Sequence, residues 1–196
     1  MPSLGYTHSY FFSFPRQLAA RTEDHKKLGN VIAHAIANPI LVWGFVSLLA
    51  HFIPKDIVVA LVIAKMLFCL AQDIKCGFIY SVIWGLTVYH QLYILTPVPL
   101  LAIIAVIGVG VVISIGVGHW IIEQELPHER NHPAVKSDRL LFKFCGFLNE
   151  VFLASFHFPV LLLLRCGLMS KLRQKVNKEC FKTQYRYKQI KQMEMK

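Results

Sequence analysis

The chain has 196 residues; 55% are hydrophobic and only 16% charged, yet the formal net charge is +10. With a mean hydropathy of +0.49, a disordered chain is excluded, because such chains are poor in apolar residues and rich in charge. Uncharged runs longer than a soluble core needs point to a polytopic membrane protein with its charge held outside the spans.

Residues 1–27 are polar and aromatic and lack the apolar stretch and cleavage site of a secretory signal, so insertion is expected to rest on the spans themselves. Residues 28–54 contain no Asp, Glu, Lys or Arg. At about 1.5 Å per residue, a helix of that length crosses a hydrocarbon core of about 30 Å. The next apolar segment, 57–72, is shorter and carries Lys65. Residues 76–122 then run for 47 positions without one of those charged types, too long for a single span. Thr96-Pro97-Val98-Pro99 interrupts the run, and proline both ends a helix and restricts the residue before it, which predicts two spans near 76–95 and 98–122. Gly108, Gly110, Gly116 and Gly118 in the second allow close helix contact, although glycine is common in membrane helices generally. A polar loop follows over 123–138. Residues 140–169 are apolar but interrupted by Lys143, Glu150, Pro159 and Arg165, and read as two shorter helices or as a re-entrant or interfacial segment. No segment alternates as a strand.

The charge is unevenly placed. Residues 1–30 hold four Lys/Arg and two Asp/Glu, residues 31–169 eight and seven, and residues 170–196 nine and two. The excess is therefore mostly in the last segment. Because that segment directly follows an apolar one, it reads as a basic tail held against anionic headgroups, and no nucleic-acid partner is expected. Arg16, Arg21, Lys26 and Lys27 precede the first span. The positive-inside rule then puts both termini in the cytoplasm and requires an even number of crossings. The expected fold is an all-α, polytopic membrane helical bundle of about four transmembrane helices plus a re-entrant or interfacial helical segment. Its parts are an N-terminal cytoplasmic segment (1–27), a membrane-embedded helical domain (28–169) and the basic tail (170–196). The expected location is the endoplasmic reticulum of a eukaryote or the inner membrane of a bacterium. Cys69, Cys76, Cys145, Cys166 and Cys180 form no CxxC pair and read as small apolar residues in a reducing setting.

Four crossings sort the nine histidines. His25, His34, His119, His128 and His132 gather at the cytoplasmic face, and His51 and His90 fall toward the other. Glu123 joins the first group, spaced i, i+4 from His119 on one helical face. Imidazole with carboxylate suits iron, zinc and similar metals, and two histidines with one carboxylate suit Fe(II) and O₂ chemistry. From spacing alone, hydrogen bonding of interfacial histidines to headgroups or backbone carbonyls stays open beside the metal reading. His51 and His90 fit that plainer role. Glu150 is an ionisable group in an apolar run, hence a functional candidate, unless it pairs with Lys143 or Arg165.

Two stretches carry a resemblance. In the first, His25 is followed by Asn30, His34 and then Pro39; in the second, Gly118-His119-Trp120-Ile121-Ile122-Glu123 is followed by Pro133-Ala134. Together they resemble the small membrane family of 2-hydroxy fatty acid dioxygenases, with its N-terminal His…Asn…His and later Gly-His-x-x-x-Glu…Pro-Ala signatures. The resemblance covers roughly residues 20–168. Residues 124–132 stand as an insertion relative to the family pattern, and His128 and His132 lie inside it.

The resemblance implies an Fe(II)-dependent enzyme that uses O₂ to shorten a long-chain 2-hydroxy fatty acid by one carbon, an α-oxidation step. It implies catalytic roles for His25, His34, His119 and Glu123. The iron ligands would be His25, His34 and His119, with His128, His132 and Glu123 as secondary candidates. A fatty acid is a bilayer component whose carboxylate and 2-hydroxyl sit at headgroup depth, where a metal at the cytoplasmic ends of the first and fourth spans would meet them. Two other classes stay in view. One is another His-rich membrane lipid oxygenase or hydroxylase, which needs about eight histidines in paired boxes. The other is a non-enzymatic membrane scaffold or channel, marked by polar residues lining the spans away from the histidines.

Overall fold

The structure, a computed structural model, describes residues 13–95, 97–124 and 140–194, with side chains at 13–22, 25–95, 97–124 and 153–182. Every regular element among the described residues is helical. In chain order these are α1 (Phe14–Asp24), α2 (Leu28–Phe52), α3 (Lys55–Gln72), α4 (Ile74–Tyr89, continued to Ile94 in wider π-type turns), α5 (Leu100–Glu123), α6 (Leu140–Arg165) and α7 (Ser170–Glu194).

Local chemistry sets most of the boundaries. Pro54 and Pro99 stand just before the first turns of α3 and α5, where a missing N–H costs nothing. Asp73 ends α3 and caps α4, its Oδ1 accepting the Cys76 amide at 2.9 Å. The hairpin this makes is tight, because Gly77 lets α4 cross against the Cys69 and Leu70 backbone of α3 where a Cβ would collide. Pro39 lies inside α2 without ending it; spans tolerate proline where neighbouring helices resatisfy the freed groups.

Among the described residues, two helices are long and apolar enough to cross a membrane, Leu28–Phe52 and Leu100–Glu123, and a third crossing is added if the bent pair Leu153–Arg165 and Ser170–Lys182 is one broken span. Only 17% of the apolar window of α5 is buried inside the protein, so its outer surface needs an apolar surrounding. Two or three such helices among the described residues mark the chain as a membrane protein. The 57–72 and 76–95 segments are helical where expected. However, α3 carries Lys55, Asp56 and Lys65 within 18 residues, and α4 with its π-type turns includes Lys75, His90 and Gln91; neither is among the helices apolar enough to cross by itself. Residues 140–165 form one continuous helix despite Pro159, not two shorter ones.

α2 packs along α5 and also against α6; α3 pairs with α4; α1 lies against α7. Close approach of α2 and α5 follows from glycine on both sides. A Cβ on Gly44 would meet Ile107 at 2.5 Å, and one on Gly110 would meet Leu41 at 2.7 Å. Of the other glycines singled out in α5, Gly118 also faces α2, whereas Gly108 and Gly116 do not. A core of Phe14, Leu18, Tyr80, Trp84, Leu153, Phe156 and Val176 ties α1, α4, α6 and α7 together. Between α6 and α7 the chain turns by 103°. Gly167 (φ +84°) makes this elbow, with the Leu168 amide donating to the Leu163 carbonyl and that of Gly167 to Leu164. This hydrogen-bond pattern closes a helix end and needs a left-handed residue, which glycine adopts at little cost.

A buried three-histidine cluster between α1, α2 and α5

α1 delivers the first histidine. His25 ends that helix, its amide donating to the Arg21 carbonyl at 3.1 Å and its ring Nδ1 lying 3.0 Å from the same oxygen. A carbonyl only accepts, so Nδ1 carries the proton and the lone pair is on Nε2. α2 delivers His34, about two turns in. Its Nδ1 meets Ser114 Oγ at 3.0 Å and its Nε2 faces His119 Nε2 at 3.0 Å. α5 delivers His119. All three are buried, at 3%, 7% and 3% exposure.

The winding of α5 brings its residues to this place. From Val112 to Glu123 the helix has π-type turns, whose i→i+5 register puts residues four and five apart on one face. Ser114, Gly118, His119 and Glu123 are the buried residues of that stretch. In a regular α-helix Ser114 and His119 would diverge; here both reach His34. Gly118 has no room to be larger, since a Cβ there would stand 2.6 Å from Asn30 Oδ1 and 3.6 Å from His34 Nε2.

The cluster is compact. Ring centroids are 4.7 Å apart for His25 and His34, 5.2 Å for His25 and His119, and 4.9 Å for His34 and His119. One ring nitrogen from each lies within 4.8 Å of the others, the one group of this kind among the described residues. Two nitrogens each about 2.1 Å from one ion and at right angles stand about 3 Å apart, which matches the facing pair of His34 and His119. The donor set therefore fits a divalent transition ion that accepts imidazole, such as iron or zinc. On His25 and His34, Nδ1 is engaged by protein oxygen, an arrangement that fixes ring orientation at metal sites.

The surroundings hold these rings in place. Phe158 on α6 stacks on His34, with centroids 4.5 Å apart and planes at 15°, and meets His25 edge-on at 4.7 Å. The Arg21 guanidinium lies over the same Phe158 ring at 5.6 Å. Arg165, at the end of α6, donates to the His25 carbonyl at 3.0 Å.

Glu123 lies next to the cluster but is not one of its three members. Its carboxylate accepts the amides of Lys26 at 2.9 Å and Lys27 at 3.4 Å and the Asn30 side-chain amide at 3.0 Å. Lys27 Nζ in turn donates to the Ile122 carbonyl at 2.6 Å. A negative charge at the start of α2 is favoured by the helix dipole, and the clamp sits one residue from His25. His51 and His90 are exposed and away from the cluster. His128, His132, Pro133 and Ala134, like the Glu150 side chain, lie outside the described residues.

Arg21, Ser114, Phe158 and Arg165 were not singled out by sequence reasoning as part of a site. Arg21 had a usable signal, standing four residues before His25 on one helix. Ser114 had none without the π register, and Phe158 and Arg165 reach the site only through tertiary packing.

The site is thus a buried cluster of three histidines that could hold a metal ion, set between the helices of a membrane protein. Comparison of the chain with known protein families, curated proteins and solved structures finds no match.

Proposed function

We propose that this protein is an iron-dependent membrane dioxygenase that shortens long-chain 2-hydroxy fatty acids by one carbon. One observation carries the reading: His25, His34 and His119, far apart in sequence, meet as buried imidazoles within 4.8 Å. Of the residues that carry the family resemblance, His25, Asn30, His34, Gly118, His119 and Glu123 lie in or next to that cluster, and Pro133 and Ala134 are outside the described residues. His25, His34 and His119 would hold the iron through one ring nitrogen each, a donor set of the kind that suits Fe(II) and O₂ chemistry.

Fe(II) held there supplies the oxygen activation that oxidative loss of a carbon requires. The chain's own groups hold and shelter the site. The Arg21 carbonyl and Ser114 fix two rings through their inner nitrogens. Phe158 covers His34 and keeps water from that side. Glu123 ties the 25–27 link to the end of α5 and acts as a positioning residue. In the full proposal four helices cross the bilayer, both termini are cytoplasmic, in the endoplasmic reticulum or a bacterial inner membrane, and the basic tail rests on anionic headgroups. A two-metal lipid hydroxylase has less support, because the described residues contain one such group of ligands.

The test is metal content and turnover of the purified chain. Iron is expected to co-purify, and 2-hydroxypalmitate to yield the acid one carbon shorter under O₂. Absence of product with Fe(II) supplied, with His34→Ala and His119→Ala indistinguishable from the parent in metal content, overturns the proposal.

A further inference from the structure

The side-chain amide of Asn30 is engaged at one end only. Its Nδ2 donates to Glu123 Oε2 at 3.0 Å. An ionised carboxylate only accepts, so this contact fixes which end of the amide is which. Oδ1 therefore points away from Glu123. Asn30 is 0% exposed, and no donor among the described residues reaches its Oδ1.

A buried acceptor without a donor is costly, and its position indicates what could satisfy it. The place a Cβ on Gly118 would take is 2.6 Å from Asn30 Oδ1 and 3.6 Å from His34 Nε2. That nitrogen is the one facing His119. The orphaned oxygen thus lies on the same side of Gly118 as the ring nitrogens that would hold an ion, and the glycine puts no side chain over it. Ring nitrogens that hold an ion carry no proton, so they cannot be its donor. The donor has to arrive with whatever binds at the cluster.

We propose that Asn30 Oδ1 accepts a hydrogen bond from the 2-hydroxyl of an acid held at the histidine cluster, and so selects 2-hydroxy acids over acids that lack this group. The identity of the acid rests on the dioxygenase reading; the specificity-determining residue is new to it. A site built to pair with a substrate hydroxyl rejects the analogue without one, because its own polar group is then left buried and unpaired. Glu123 gains a second part here, since by holding Nδ2 it keeps the acceptor turned toward the cluster.

The experiment uses the full chain in phosphatidylcholine nanodiscs, loaded with Co(II) and kept from O₂, so that binding is read without turnover. Changes in the visible bands on adding 2-hydroxypalmitate, palmitate or 2-fluoropalmitate give three dissociation constants. Fluorine is close to hydroxyl in size and has no proton to donate. The unaltered chain is expected to bind the hydroxy acid about 100-fold or more tightly than the other two. Asn30→Ala, or Asn30→Leu, which fills the volume, is expected to narrow that ratio about tenfold. Loss of the Glu123 contact in these variants weakens all three acids alike, so a merely structural role for Asn30 leaves the ratio where it was. An unchanged ratio in a folded variant overturns this proposal and leaves the dioxygenase reading in place. Bands that respond to none of the acids overturn both. Should neither variant fold, the fluoro acid on the unaltered chain decides: binding as tight as that of the hydroxy acid overturns the proposal, and binding as weak as that of palmitate supports it.

Discussion

Glu123→Gln separates a ligand from a clamp. The carboxylate accepts two backbone amides and the Asn30 side chain at the start of α2. Glutamine keeps one acceptor oxygen, turns an N–H₂ toward the remaining donors and removes the charge. Hydrogen bonds to a charged group contribute about 1.5–3 kcal/mol each, and charge at a helix start roughly 0.3–1 kcal/mol more. Relaxation of the 25–27 link absorbs part of this, and the rest reaches His25 one residue away. Metal affinity is then expected to fall about 10–100-fold, the range for supporting residues around metal ligands. Titration of the detergent-solubilised chain with Co(II) measures it, since the visible bands report the ligand set and the isotherm the affinity. Glu123→Gln should keep the bands with a weaker isotherm, whereas His34→Ala should lose both. Hydrogen exchange at the Lys26 and Lys27 amides should quicken in Glu123→Gln with no metal present. Bands that change as in His34→Ala would make Glu123 a ligand; unchanged affinity and unchanged exchange would refute the clamp.

Other consequences are as open to measurement. Gly118→Ala puts a methyl 2.6 Å from Asn30 Oδ1 and should lower stability by about 1–3 kcal/mol, whereas Gly108→Ala, with nothing within 4 Å, should be near neutral; thermal unfolding in detergent compares them. Ser114→Ala removes the partner of His34 Nδ1 and should weaken Co(II) binding about tenfold without moving its bands. Tryptophan placed at the exposed Phe181 should shift its emission to the blue in phosphatidylserine vesicles and less in phosphatidylcholine. Added salt, or glutamine at the exposed Lys171, Arg173, Lys175 and Lys178, should cancel the difference.

Helical segments were legible wherever charge and proline mark their limits: the Thr96–Pro99 break, the run after Lys27, the polar residues around Asp73. What was hidden is what composition does not encode. α1 lies in a stretch that reads as polar, and is helical because Phe14, Leu18 and Ala19 bury against other helices. The continuity of α6 through Pro159 depends on neighbours packed around it. At the site, His25, His34 and His119 could be grouped from topology because the positive-inside rule orders helix ends. Their distances could not, since the π turns that aim His119 leave no mark in the residue pattern. Spacing put Glu123 on the same face as His119, where the structure also has it buried. Spacing does not tell whether a carboxylate faces a metal or a row of amides, and here the amides at the start of α2 take it.

The packing of α1 on α7 has a consequence for timing. α1 carries His25 and lies against the helix that starts beyond the elbow at Gly167, with Cys180 Sγ 3.8 Å from the Ala19 carbonyl. During synthesis α1 emerges well before α7, so the N-terminal helix waits without the surface it finally packs on. His34 and His119 can meet as soon as α5 is in place; His25 gains Phe158 and Arg165 only when α6 has been made, and α1 gains the surface it packs on only with α7. A chain stopped at the elbow would therefore keep the contacts of His25 with α6 while α1 lacks the helix it lies against, and the cluster is expected to be complete but less firmly held.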